Sequence, residues 1–259
     1  MSFIVVPLRL QSQRLPEKVF ADVGGKPLCV RALEQVLSAI ELSRSPQSWS
    51  LVAAVDDTRT EKLLKTHFPE LRIVLTDPAL PSGTDRVHAA IASLGLAQAD
   101  TLVVNVQGDM PHMSPRHTSD FLDWCLEKRP SFATLAHAWP REQDLEDRAH
   151  VKALVAHTGK AIYFSRFPLP YSRVDAPSEG ALVPWYHVGI YAYSWAQLSE
   201  FCAWNPSPLE RFEGLEQLRA LDRGVKIDVM TFDNTDTRHS FRGVDTPADL
   251  VWAKGVSSL

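Results

Sequence analysis

One feature of this sequence narrows its fold more than any other: short apolar runs alternate with amphipathic segments along the first hundred residues. Ile4–Val6 reads as a buried strand, and Pro27–Ile40 as a helix with Leu28, Ala32, Leu33, Val36 and Ile40 on one face. Strands follow at Leu51–Val55, Arg72–Leu75 and Thr101–Val106, separated by helices at Thr58–Thr66 and Thr84–Leu94. A β-α-β-α-β order with crossover helices predicts an α/β fold: a mostly parallel central sheet with helices on both faces. In such sheets a ligand sits beyond the carboxyl ends of the strands. The chemistry is therefore to be sought just after each strand.

The second half is less regular. Strands are expected at Phe132–His137, Val151–Val155, Ala161–Phe164, Val188–Tyr193 and Lys226–Thr231, and helices at Trp195–Ala203, Pro208–Leu221 and Pro247–Val256. Prolines and weak periodicity between Arg141 and Val183 mark residues 138–185, approximately, as an excursion or small subdomain within a single domain spanning 1–259. With 45 % hydrophobic residues, the chain can bury a substantial core. The net charge of −4, spread along the chain, argues against a nucleic-acid binder. No run is long enough for a membrane span or a leader, so a cytoplasmic protein is expected. Three scattered cysteines, Cys29, Cys125 and Cys202, fit a reducing compartment and buried thiols.

Three cations, Arg9, Arg14 and Lys18, occupy the segment after the first strand. A solvated loop is the plainer reading of that composition, but its place at the ligand edge suits phosphate oxygens. No glycine-rich phosphate cradle accompanies it. Ser82-Gly83-Thr84-Asp85-Arg86 opens a helix, with Ser82 or Thr84 as its cap. A cation in the first turn opposes the helix dipole, so Arg86 has another task. Asp109 follows a buried strand, with Gly108 allowing a close turn; there it can hold Mg²⁺ or simply stabilise the turn. Thr246, Pro247 and Asp249 make a complete helix start, which leaves Asp245 free for another role. On the second half, His187 and Tyr191 lie four apart on a strand and share a face. Arg166 can form a two-pronged pair with a carboxylate. Glu216 and Gln217 are expected on a helix, away from an apolar stripe of Leu209, Phe212, Leu215 and Leu218.

These segments together carry a resemblance. P-x-R-x-x-S-x-R-L-P-x-K (Pro7 to Lys18), S-G-T-D-R, V-Q-G-D, Y-F-S-R, H-V-G-I-Y-A-Y, P-S-P-L-E, L-E-Q-L-R and G-V-D-T-P-x-D-L resemble, in order, the motifs of the CMP-Kdo synthetase family, the 3-deoxy-manno-octulosonate cytidylyltransferases. The resemblance implies a GT-A/Rossmann-like nucleotidyltransferase fold with a smaller sugar-binding and dimerisation subdomain, and a homodimer. The implied reaction joins CMP from CTP to an acidic 3-deoxy-octulosonate, for lipopolysaccharide or capsule synthesis. It implies Mg²⁺ on Asp109 and Asp245. Arg9, Arg14 and Lys18 would hold the CTP phosphates, with Arg14 and Lys18 neutralising the leaving pyrophosphate. Ser82, Arg86 and Gln107 would contact the nucleotide, and Arg166, His187, Tyr191, Glu216 and Gln217 the sugar. Leu8, Glu17, Met110 and Tyr186 depart from the usual pattern of alanine, glycine, glutamate and a basic residue. Those departures keep two alternatives open: the same chemistry on 8-amino-Kdo or another acidic keto sugar, and a catalytically silent nucleotide-binding regulator.

Overall fold

The computed structural model describes residues 2–10, 14–140, 144–171, 184–233 and 241–256. Gln11, Ser12 and Gln13 of the loop motif, and parts of the 138–185 excursion, lie outside the described residues. The chain begins with β1 (Ser2–Leu8), a two-strand ribbon β2 (Asp22–Val23) and β3 (Lys26–Pro27), and α1 (Leu28–Leu42). It continues with β4 (Trp49–Val55), α2 (Thr58–His67), β5 (Arg72–Leu75), α3 (Gly83–Leu94), β6 (Leu102–Asn105) and α4 (Pro115–Lys128). Then come β7 (Phe132–Ala138), β8 (Lys152–Val155), β9 (Ala161–Ser165), β10 (Trp185–Ser194) and α5 (Trp195–Ala203). Two short helices, α6 (Pro208–Glu213) and α7 (Leu218–Asp222), precede β11 (Asp228–Phe232) and α8 (Pro247–Val256).

The main sheet runs β11-β7-β10-β6-β1-β4-β5, with β8 and β9 as a ribbon paired to β10. β6, β1, β4 and β5 are mutually parallel, and β11 is parallel to β7. β10 runs antiparallel to both of its neighbours, β6 and β7. The sheet is thus mostly parallel, with one reversed strand at the seam between the regular and irregular halves.

Period-2 alternation on β1 builds two cores. Ile4, Val6 and Leu8 pack with Leu33, Val36, Phe121 and Leu122 of α1 and α4. Phe3 and Val5 pack on the other face with Val87, Ile91, Leu198 and Phe201 of α3 and α5. Each such fully buried side chain contributes about 1.5–3 kcal/mol. α4 was not anticipated from the sequence, although it has the marks of a helix. Ser114 caps it by accepting from the His117 amide, Pro115 sits at its start, and Phe121, Leu122 and Cys125 form the buried face.

The expected single helix over Pro208–Leu221 is two helices. Ser207 and Glu210 form a capping box, and α6 ends after two turns at Gly214, whose φ of 65° is the left-handed geometry a glycine tolerates. The apolar stripe read across this segment is split accordingly. Leu215 and Leu218 are buried, whereas Phe212 is 95 % exposed. Arg219 then folds α7 back, with Nε and Nη2 at 2.8 and 2.6 Å from the two oxygens of buried Glu210. Glu216 and Gln217 therefore sit in the corner between the helices. Of the cysteines, Cys29 and Cys125 are buried and Cys202 is half-buried, and all three are free thiols. Among the described residues no helix is long and apolar enough to cross a membrane.

Candidate active site

The carboxyl ends of β1, β4 and β6 open onto a cleft. One part of it, of about 640 Å³, is lined by Arg9, Arg14, Lys18, Asp56 and Asp245. The adjoining part, of about 470 Å³, shares Arg9 and Asp245 and extends to Gln107, Asp109, Arg166, His187, Tyr191, Glu216 and Gln217. All but one of the residues singled out from the sequence thus meet in one place, though they are spread over most of the chain.

The centre of the cleft is a charge cluster. The Lys18 ammonium lies 2.7 Å from Asp109 Oδ2 and 2.8 Å from Asp245 Oδ1, and donates to the Val244 carbonyl at 3.2 Å. Arg14 Nη2 reaches the other Asp245 oxygen at 2.9 Å. Main chain holds the two aspartates together: the Val244 amide donates to the Asp109 carbonyl at 2.9 Å. Burial disfavours the Lys18 charge, yet Asp109 and Asp245 outweigh it and raise its pKa. Burial likewise works to raise the Asp245 pKa, but Lys18 and Arg14 hold its carboxyl below the usual carboxylate range. The Asp245 side chain takes no part in capping α8: the Thr246 and Asp245 amides donate to Asp249 Oδ2 at 2.9 and 3.2 Å, and the Asp249 amide to Thr246 Oγ1 at 3.2 Å.

Gly108 makes this geometry possible by close approach. A Cβ there would lie 3.0 Å from the Pro7 carbonyl oxygen and 2.3 Å from Leu8 Cδ2. Gly108→Ala is expected to lower stability by about 1–3 kcal/mol through overpacking between β1 and the β6 turn. Chemical denaturation measures this directly, and an unchanged midpoint would mean that the two strands can separate freely here.

The nucleotide-side predictions divide. Ser82 is the cap of α3: its oxygen accepts from the Asp85 amide at 3.1 Å while its hydroxyl donates to Asp85 Oδ2 at 2.8 Å. It also lines the cleft, as does Gln107. Arg86, for which the resemblance implies a nucleotide contact, is not among the residues lining the two parts of the cleft. It is fully buried, donates to Thr76 Oγ1 and pairs with Asp56 at 3.3 Å. It lies behind the cleft wall, since Asp56 is itself one of the lining residues. Asp56, which sequence reasoning missed, in turn accepts the Leu10 amide at 2.9 Å. Arg86 thereby supports the basic loop from beneath. Glu17, the acidic departure in that loop, pairs with Arg59 at 2.9 Å and lines the same part of the cleft as Lys18 and Asp245.

On the other side, His187 and Tyr191 face the same way, with ring centroids 5.5 Å apart. A bulge between Val188 and Tyr191 in the pairing to β7 keeps that parity. The Thr134 hydroxyl oxygen lies by the bulge carbonyls, at 2.8 Å from Ile190 and 3.2 Å from Val188. His187 Nε2 lies 3.1 Å from that oxygen, a separation that either imidazole tautomer turns into a hydrogen bond. Burial pushes the His187 pKa down to about 3, so the ring is neutral at neutral pH and offers an acceptor. The Tyr191 hydroxyl donates to Gln217 Oε1 at 3.1 Å. Thr84, also missed from sequence, donates to Glu216 Oε2 at 2.6 Å and so joins the start of α3 to the 214–217 corner. Arg166 lines the cleft with part of its fork already committed, since Nε donates to the Glu213 carbonyl and Nη1 to the Arg148 carbonyl, both at 3.0 Å.

A triphosphate needs cations at its oxygens and carboxylates for its counter-cation, and this sheet edge supplies both beside a pocket rich in hydrogen-bonding groups; the class is that of the nucleotidyltransferases. A sequence model of the family described as cytidylyltransferase matches residues 3–227, and the chain belongs to that family. The 3-deoxy-manno-octulosonate cytidylyltransferase of Rhodopseudomonas palustris (strain HaA2) is 35 % identical over 259 residues, covering 98 % of this chain and 97 % of the relative. Its counterpart in Alcanivorax borkumensis (strain ATCC 700651 / DSM 11573 / NCIMB 13689 / SK2) is 38 % identical over 254 residues, covering 96 % and 95 %. A solved structure of CMP:2-keto-3-deoxy-manno-octonic acid synthetase complexed with CTP superposes with a TM-score of 0.82 at 30 % identity, covering 100 % of this chain and 99 % of that one.

Proposed function

We propose that this protein transfers CMP from CTP to the anomeric hydroxyl of 3-deoxy-manno-octulosonate, releasing pyrophosphate. One observation carries the reading: Asp109 and Asp245 converge on Lys18 at the junction between a cationic loop and a pocket of hydrogen-bonding side chains. The family and the named relatives supply the nucleotide and the sugar.

Asp109 and Asp245 suit Mg²⁺. Their oxygens approach one ammonium from two sides, and among the described residues no cluster of three or more histidine, cysteine or acidic side chains is gathered. Mg²⁺ characteristically takes one or two carboxylates and completes its shell with phosphate oxygens and water. When bound, it would polarise the phosphoryl oxygens and favour the ionised nucleophile. Arg9, Arg14 and Lys18 orient the triphosphate and neutralise charge on the departing pyrophosphate. Glu216, Gln217, Tyr191 and neutral His187 order the sugar hydroxyls, while the open edge of Arg166 faces its carboxylate. Rate enhancement then comes mainly from positioning two substrates in line, without a covalent enzyme intermediate.

Pyrophosphate release with Mg²⁺ tests the proposal, crossing the four nucleoside triphosphates with 3-deoxy-manno-octulosonate and its 8-amino analogue. Turnover is expected with CTP and the unsubstituted sugar. Preference for the analogue would retain the chemistry and replace the acceptor, an outcome that Met110 and Tyr186 on the cleft wall make worth measuring. Silence with every pair, from protein that still binds CTP, would overturn the reading.

A further inference from the structure

Lys152 opens β8 and is completely buried. A buried ammonium must find compensation for its lost hydration. All three of its N–H bonds go to main-chain carbonyls: Asp147 at 2.7 Å, His150 at 2.9 Å and Arg166 at 3.0 Å. Its Nζ also lies 5.3 Å from the ring centroid of Trp139, whose face attracts a cation.

Those carbonyls belong to two segments that the acceptor side of the cleft depends on. Between Asp147 and His150 lie Arg148, whose carbonyl accepts from Arg166, and Ala149, which lines the cleft. Arg166 continues the chain of contacts, its amide donating to one Glu213 carboxylate oxygen at 3.0 Å while the Ser165 hydroxyl donates to the other at 2.6 Å. Glu213 is the residue immediately before Gly214-Leu215-Glu216-Gln217, which forms the far wall. One buried cation thus gathers the 147–150 segment and Arg166, and through Glu213 it reaches the corner that carries Glu216 and Gln217.

We propose that Lys152 is a positioning residue for the acceptor sugar, acting through Arg166 and Glu213 without touching either substrate. The proposal rests on the reading of this part of the cleft as the sugar site. Methionine at 152 would fill the volume and leave three acceptors unpaired. Arginine would bring donors in a planar fork, which cannot diverge toward three carbonyls as an ammonium does, and restores the arrangement only in part.

The test uses the full chain with Lys152→Met and Lys152→Arg. With CTP saturating, Lys152→Met is expected to raise the sugar KM by about tenfold or more, while the CTP dissociation constant stays within about twofold. Lys152→Arg is expected to recover part of the sugar KM. Loss of thermal stability with an unchanged sugar KM would overturn the proposal. Glu213→Gln, which alters the far end of the same chain of contacts, should give the same split and serves if Lys152→Met does not fold. If the unaltered protein uses no 3-deoxy keto acid, the reading of the sugar site fails separately, and amide exchange decides the positioning role. Either variant must then speed exchange over 147–150 and 165–167 and leave 16–20 unchanged; unaltered exchange over 147–150 and 165–167 would refute it.

Discussion

Asp109→Asn is expected to lower kcat by roughly 10²–10³-fold at saturating CTP and sugar, with CTP still bound. The substitution keeps the size and one oxygen acceptor of the side chain and removes its charge. Lys18 would lose the nearer of its two carboxylate partners, the one at 2.7 Å, and remain paired with Asp245 at 2.8 Å. The main-chain bond from Val244 to Asp109 does not involve the side chain, so the two segments stay joined. Stability should therefore change little, and calorimetry should show CTP binding within about tenfold of the unaltered protein. A kcat loss smaller than about tenfold would return Asp109 to the role of a turn residue.

Arg86→Met is expected to act on stability, costing about 3–5 kcal/mol. Asp56 is nearly as buried as Arg86, with only 4 % of its side chain exposed, so removing the guanidinium leaves a carboxylate without its buried counter-ion. Burial lowers the Arg86 pKa and the Asp56 carboxylate opposes that shift, so the two charges are held as a buried pair. In a chain of this length the loss corresponds to a fall in thermal midpoint of roughly 10 °C. The double variant Arg86→Met, Asp56→Asn should be less destabilised than the two single effects added together, because the orphaned charge is gone. Weakened CTP binding at unchanged stability would instead restore the nucleotide contact that the motif resemblance implies for Arg86.

These two residues also mark what a sequence can and cannot disclose. The position of Asp109 was legible because one local rule suffices: a residue just past a buried parallel strand stands at the ligand edge. The fate of Arg86 was not, because it is decided by Asp56 on a different strand end, and no periodicity in α3 carries that information. The local conflict with the helix dipole did signal a task beyond a surface cation. The first five alternating elements, β1, α1, β4, α2 and β5, were read to within two residues at each end because each repeats one hydrophobic period. Pro208–Leu221 was misread because the period continues across Gly214, while the backbone turns there for the sake of the Arg219–Glu210 pair. α4 escaped because its exposed face is polar and its start follows the aspartate turn with little spacing. The acceptor-side residues were recoverable only from their joint order along the chain. His187 and Tyr191 share a face for the reason expected, though across a bulge that no sequence pattern announced.

The hydrogen bond from Thr84 to Glu216 spans the first turn of α3 and the 214–217 corner, residues 132 apart in sequence. Its free energy belongs to neither end alone. With the sites as proposed above, a nucleotide that shifted the start of α3 would act through this bond on Glu216. Thermodynamic reciprocity then requires that the factor by which CTP alters sugar affinity equal the factor by which the sugar alters CTP affinity. In a two-substrate transfer, such mutual dependence would let each substrate favour the binding of the other.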